Sequence, residues 1–167
     1  LSAGDMKDLT FTPAGELAKL YRTRKASPLE VIEAVFARID AINPQVNAVV
    51  TLAREAALWE ARRATAALKR GAPLPPLFGV PVGIKDVTAT KDLRTTYGSK
   101  LFETNVPDED ALVVQRLRAA GAIVLGKTNT PEFAFGPNTV NAVFGATRNP
   151  WNLALTSGGS SGGSAAA

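Results

Sequence analysis

From Pro28 to about Ile42 the chain alternates in a regular way: Val31, Ile32, Val35, Phe36, Ile39 and Ile42 recur at three- and four-residue steps, while Glu30, Glu33, Arg38 and Asp40 fall between them. That spacing matches the 3.6-residue period of an amphipathic helix with one buried face. Ser27 supplies an N-cap, Pro28 suits the first helical position, and Asn43-Pro44 predicts the end. A shorter helix is predicted upstream in AGELAKLYRTRK, opened by Thr12 and Pro13 and carrying Leu17 and Leu20 at helical spacing. After an apolar stretch at 46–52, the alanine-rich segment Arg54–Lys69 predicts a third helix, closed by Gly71 and the prolines at 73, 75 and 76.

At Phe78 the pattern changes. FGVPVGIKDV places valine and isoleucine in a short apolar run bounded by Gly79 and Asp86, as in a buried strand. Residues 110–120 then predict a helix with Leu112, Val113 and Leu117 on its inner face and Gly121 as its stop, and AIVLG predicts a second buried strand. Strand, helix, strand is the crossover unit of an α/β sheet, although the order of the whole sheet does not follow from it. Residues 136–163 are rich in Gly, Asn, Pro, Ser and Thr and lack apolar periodicity, the signature of a long functional or disordered loop. No internal repeat is present. The organisation expected is a leader or non-native start at 1–7, where LSAGD precedes Met6, a helical segment at 8–72, and the first part of an α/β core at 73–167.

Composition narrows the function classes. With 46% hydrophobic and 20% charged residues in 167, the chain can bury a core. The net charge of +4 comes from 19 basic and 15 acidic residues that are mostly interspersed. Short clusters such as RTRK at 22–25 and ARR at 61–63 read as solvated helix faces, so no direct nucleic-acid partner is expected. No apolar run is long enough to span a bilayer and no signal-peptide pattern appears, so a cytoplasmic protein without a membrane role is expected. The sequence contains no His and no Cys. That removes a Ser-His-Asp triad, a thiolate nucleophile, and imidazole or thiolate metal sites; no metal or cofactor is expected. Any acid–base group must be a carboxylate, a lysine or a tyrosine.

Two lysines draw attention. Residues 121–128, GAIVLGKT, satisfy the phosphate-loop pattern letter for letter. In a phosphate loop, however, the variable residues form a turn whose N–H groups surround phosphate, whereas here Ala122, Ile123, Val124 and Leu125 read as strand. Lys127 is therefore expected to be a strand-end charge reaching solvent. Lys85 lies near the end of the predicted buried strand VPVGIKD, where a free ammonium is costly to desolvate. It either pairs with Asp86 or another carboxylate, or loses its proton readily enough to serve as a general base. At the C-terminal side, SGGSSGGS has the composition of a flexible linker. The preceding turn Asn149-Pro150-Trp151-Asn152 carries a large aromatic that a solvated segment has little use for. As a tight turn at a helix start, the glycine-serine block would present exposed hydroxyls and unpaired N–H groups suited to an oxyanion or a nucleophile.

Taken together, GVPVGIKD at 79–86, TTYGS at 95–99, GAIVLGKTNTPEFAFG at 121–136, NAVFGATRNPWN at 141–152 and GGSSGGSAAA at 158–167 closely resemble the amidase signature family, in the same order and from about Phe11 onward. The resemblance implies an α/β fold with a central mixed sheet covered by helices, of which this chain is an incomplete part. It also implies amide hydrolysis by a Ser-Ser-Lys triad through an acyl-enzyme. Matched position by position, the base is Lys85, the bridging serine held by a cis peptide bond is Ser160, and Ser161 supplies a supporting hydrogen bond. The serine nucleophile is expected beyond Ala167, so residues 1–167 alone are expected to be inactive. The leading expectation is an amidase acting on linear amides, with a small-molecule amide as its partner and a homodimer as one possible assembly. The alternatives are the glutamine-hydrolysing A subunit of a tRNA-dependent amidotransferase, which requires partner subunits, and a non-catalytic fragment or interaction module. The residues that bind substrate are not identified by the resemblance.

Overall fold

In the computed structural model, residues 9–71 and 73–167 are described, and the leader expected at 1–7 lies outside the described residues. The elements are α1 (Ala14–Arg22), α2 (Pro28–Val46), β1 (Val49–Leu52), α3 (Arg54–Lys69), β2 (Pro81–Lys85), α4 (Leu112–Ala119), β3 (Ile123–Thr128), β4 (Val140–Asn141), β5 (Gly145–Ala146), β6 (Arg148–Asn149), β7 (Asn152–Thr156) and α5 (Gly162–Ala166). Single 3-10 turns occur at Lys100–Phe102 and Glu132–Ala134. Three strands form a sheet in the order β1-β3-β2. β1 runs antiparallel to β3, with Val49 opposite Thr128 and Leu52 opposite Gly126. β2 runs parallel to β3: the Ile123 N–H donates to Val80 O at 2.9 Å, and, further along both strands, the Asp86 N–H donates to Thr128 O at 3.0 Å. The sheet is therefore mixed.

The chain divides into two units. One comprises the described residues up to Asp40 together with Ala53–Val82 and Arg116–Leu125. Its core is aliphatic and aromatic. Ile32, Phe36, Ala57, Ala61, Ile123 and Leu125 form one cluster, and Leu17, Tyr21, Val31, Ala34 and Leu68 belong to a second. The apolar stripe of α2 supplies both clusters. Its start is a capping box: the Glu30 N–H donates to Ser27 Oγ, and the Ser27 N–H donates back to Glu30 Oε2 at 2.8 Å. Tyr21 donates its hydroxyl to Gly79 O at 3.1 Å, and burial pushes its phenol above the ordinary value. The predicted helix Arg54–Lys69 is found with those limits, followed by Gly71 at φ +74°.

The other unit comprises Ala41–Leu52, Gly83–Gln115 and Gly126–Ala167. Its interior is unusually polar: Asp86, Thr90, Thr95, Thr96, Ser99, Lys127, Asn129, Thr130, Thr139 and Thr147 are all buried. Such an interior must be held by hydrogen bonds, since each buried polar group without a partner costs about 1–3 kcal/mol.

Three expectations require correction. Asn43-Pro44 does not end α2, which continues to Val46 with Pro44 inside it. Proline gives up only its own donor there. The Asn47 N–H still donates to Asn43 O at 2.7 Å, and Asn43 Oδ1 accepts the N–H groups of Ala48 and Val49. In α4, which starts two residues later than predicted, the buried residue is Val114, while Leu112 and Val113 lie exposed in its first turn. Residues 136–163 are ordered by two antiparallel pairs, β4 with β5 and β6 with β7. Trp151 sits at the tip between β6 and β7 and is 96% exposed, so its size is not used for packing within this chain. Among the described residues, no helix is long and apolar enough to cross a membrane.

Candidate active site

Lys85 is the last residue of β2, and the strand delivers its side chain to the glycine-serine turn that precedes α5. Its Nζ donates to Ser160 Oγ at 2.7 Å and to Ser161 Oγ at 3.0 Å. Burial disfavours the charged amine and moves its pKa below the ordinary lysine value. The peptide bond between Gly159 and Ser160 is cis. The structure thus brings together all three residues singled out by sequence, Lys85, Ser160 and Ser161, within one unit of the chain.

The Lys85–Asp86 ion pair is not formed. Successive residues leave a strand on opposite faces, and Asp86 turns into the polar interior. There its carboxylate accepts the Thr96 hydroxyl at 2.6 Å and the Thr96 N–H at 3.2 Å. Burial pushes the Asp86 carboxyl up, against the opposing effects of the Thr96 hydrogen bonds and the charges of Lys127 and Arg94.

Lys127 does not reach solvent either. It is fully buried, and its ammonium donates to Thr88 O at 2.5 Å, Thr90 Oγ1 at 2.9 Å and Thr95 Oγ1 at 3.0 Å. Desolvation lowers its pKa to about 8, while Asp86 and Asp110 pull it back up. The sequence signal for strand was right and the direction of the side chain was not, because β3 is buried at every position, Ile123 to Thr128. Lys127 and Asp86 together hold the chain after Lys85 from two sides: one grips Thr88, Thr90 and Thr95, the other Thr96.

The turn itself is held from below. The Gly162 N–H donates to Thr139 Oγ1 at 2.9 Å and the Gly163 N–H to Asn129 O at 3.2 Å. These two N–H groups are therefore occupied internally, contrary to the expectation of unpaired donors at the turn. Only glycine fits at 163: a Cβ there would collide with the backbone of Asn129 and lie 2.8 Å from Ala48 O. Asn129 is fully buried and uses its whole amide, donating from Nδ2 to Thr147 Oγ1 at 3.0 Å and to Gly145 O at 3.3 Å and accepting at Oδ1 from the Thr130 N–H and Asn141 Nδ2. Neither Asn129 nor Thr139 was singled out by sequence. Both lie in Thr- and Asn-rich segments whose composition marks a turn and not a structural support. Among the described residues, no group of three or more His, Cys, Asp or Glu side chains could hold a metal ion.

The site is thus a part-buried amine at the end of a strand that touches two serine hydroxyls on a glycine-rich turn; comparison with known proteins gives the family. Residues 30–167 match the Amidase family, and the chain belongs to it. The glutamyl-tRNA(Gln) amidotransferase A subunit from Acidothermus cellulolyticus is 49% identical over 162 residues, which cover 97% of this chain and 32% of that protein. Its counterpart from Carboxydothermus hydrogenoformans is 46% identical over 159 residues, 95% of this chain and 33% of that protein. Among solved structures, a bacterial aryl acylamidase of the amidase signature enzymes has a TM-score of 0.90 at 32% identity, covering 95% of this chain and 33% of its own. A 6-aminohexanoate cyclic dimer hydrolase complexed with substrate has a TM-score of 0.82 at 41% identity, covering 95% and 32%. The mixed α/β architecture is that of amidase signature structures, and the chain spans about a third of the length of the curated relatives it matches.

Proposed function

We propose that the full-length protein cleaves a carboxamide C–N bond through a serine-bound acyl-enzyme, with Lys85 as the base, Ser160 as the relay and Ser161 as a second contact that holds the amine. The observation that supports this most directly is the 2.7 Å separation of Lys85 Nζ and Ser160 Oγ. With the amine neutral, the same contact runs in the other direction: the Ser160 O–H donates to Nζ, and Ser160 Oγ is free to accept a proton from the nucleophilic serine of the full-length protein. As that serine attacks the amide carbonyl carbon, its proton moves to Ser160 and the proton of Ser160 moves to Lys85. On collapse, the C–N bond breaks and the proton returns along the same path to the leaving nitrogen, releasing ammonia or an amine and leaving an ester. Water then attacks the ester, gives up its proton by the same relay, and frees the carboxylic acid and the serine. Desolvation suits Lys85 to this role, since a base is most useful when its pKa lies near the working pH.

The test is replacement of the base in the full-length enzyme. Lys85→Ala should lower kcat by about 10²–10⁴-fold, the range general acid–base catalysis contributes, with the fold retained by circular dichroism. Lys85→Arg should be equally inactive because a guanidinium cannot give up its proton. In the wild-type enzyme the rate should rise with pH through a titration below the ordinary lysine value and then level off. An active Lys85→Arg enzyme would refute the assignment.

The substrate on the leading reading is a small linear amide handled by a cytoplasmic enzyme. A second reading is favoured by the curated relatives, which at 43–49% identity are glutamyl-tRNA(Gln) amidotransferase A subunits. On that reading the amide is glutamine, the released ammonia is passed on, and partner subunits are needed. Turnover of simple carboxamides by the purified protein alone supports the first. Glutamine hydrolysis that appears only with two co-purifying subunits supports the second.

A further inference from the structure

We infer that Thr139 is a positioning residue for the Lys85–Ser160 pair, a clamp that fixes both ends of the turn carrying the two serines. The inference rests on the functional reading above, and its test is arranged to fail separately from it. Thr139 is 1% exposed and bonds the turn with two different groups. Its N–H donates to Gly158 O at 2.9 Å, and its Oγ1 accepts the Gly162 N–H at 2.9 Å. Gly159, Ser160 and Ser161 are the residues held between those two anchors, and Ser160 and Ser161 are the ones that meet Lys85 Nζ. The backing is close along the whole turn. A Cβ added at Gly159 would stand 3.0 Å from the carbonyl carbon of Pro137, and one added at Gly162 would collide with Thr139 Oγ1.

The clamp is itself fixed. Thr139 O accepts the Thr147 N–H at 2.9 Å, the Thr147 hydroxyl donates to Asn47 O at 2.6 Å, and β4 and β5 pair immediately beyond, with Val140 opposite Ala146. Thr139 thus ties a hairpin that makes no contact with Lys85 in this structure's hydrogen-bond network to the turn that does. Its hydroxyl is the side-chain atom that reaches the far end of the turn, at Gly162, while Ser157 Oγ donates to Thr147 O at 3.3 Å just before the near end. Valine has nearly the same shape but no acceptor, so Thr139→Val leaves the Gly162 N–H buried without its partner and lets the turn relax toward some other acceptor. Proton transfer between Ser160 and Lys85 needs hydrogen-bond reach, and a misplacement of about 1 Å can cost roughly 10²-fold in rate.

The experiment compares Thr139→Val, Thr139→Ser and Lys85→Ala in the full-length enzyme with a carboxamide it turns over, at a temperature where each variant is folded. The expected result is a kcat for Thr139→Val lower by about 10–100-fold with KM within about twofold, because the relay and not the substrate pocket is displaced, and recovery of most of the loss in Thr139→Ser. If Thr139→Val does not fold, Thr139→Ala is read in the same way, since it removes the hydroxyl and opens space without adding strain. Wild-type kcat in the variant lacking the hydroxyl, or an equal loss in Thr139→Ser, overturns the clamp. An active Lys85→Ala enzyme instead overturns the functional reading and leaves the geometry of the turn untouched.

Discussion

Replacing Lys127 with methionine keeps the length of the stem and removes the ammonium that Thr88 O, Thr90 Oγ1 and Thr95 Oγ1 surround. The charges facing it are Asp86 and Asp110, with Arg94 acting on Asp86 in turn. Folded, Lys127 titrates at about 8, against an ordinary value of 10.5. The unfolded chain therefore holds this proton up to about pH 10.5, while the folded protein releases it near pH 8. Between those limits the unfolded state binds more protons, so this residue makes stability rise with pH and adds no slope outside the window. At about 1.36 kcal/mol per pH unit, the gap corresponds to about 3 kcal/mol. Lys127→Met has no such titration, so its stability deficit relative to wild type should widen by about 3 kcal/mol from pH 8 to pH 10.5. Near neutrality it should already be less stable by about 2–4 kcal/mol, since three buried acceptors lose their donor and Asp86 loses a compensating cation. Urea unfolding of both proteins at steps between pH 7 and 10.5 reads this directly, because the other lysines and tyrosines titrate in both and cancel in the difference. Parallel stability curves across the window would mean that burial does not depress Lys127, and the reasoning would be wrong.

Two further substitutions probe the turn. Ser160→Ala and Ser160→Thr should both reduce kcat by at least about 10²-fold, whereas Ser161→Ala, which removes the longer of the two contacts with Lys85, should cost about tenfold or less; steady-state kinetics on matched substrate that ranked Ser161 above Ser160 would reverse their proposed roles. Gly163→Ala forces a methyl group into the Asn129 backbone and should destabilise the protein by at least about 1–3 kcal/mol, seen as a fall in the thermal midpoint; an unchanged midpoint would show that α5 can shift without penalty.

Helical periodicity made much of the fold legible. The stripe from Val31 to Ile39 and the alanine-rich run Arg54–Lys69 each repeat one local signal over several turns, and the capping pair Ser27 and Glu30 lies three residues apart in the chain. Single boundary signals were weaker. Pro44 looked like a stop because proline usually is one, yet Asn43 provides acceptors for the two N–H groups after the helix and the last turn survives. Lys85 stood out by its place at the end of a buried strand and the glycine-serine block by its hydroxyls, but their assignment to one another, Lys85 with Ser160, came from a resemblance whose motifs are long and ordered. What surrounds them was not legible. Lys127 depends on three partners 32 to 39 residues away, and Thr139 on a glycine 23 residues away. No window along the chain contains both members of these pairs, and threonine and asparagine in a loop look the same in sequence whether they face water or hold a buried turn.

The separation of Lys85 and Ser160 has a consequence for biosynthesis. The two are 75 residues apart, so at roughly 5–20 residues per second the lysine leaves the ribosome roughly 4–15 s before its serine partner. Throughout that interval its amine has neither of the serine hydroxyls that it meets in the folded chain. α2 and α3 can form meanwhile from contacts within a few residues. The contacts of Nζ with Ser160 and Ser161 are thus made late, when the glycine-serine turn meets the end of β2, and a nascent polypeptide paused between the two segments would carry the lysine without either hydroxyl beside it.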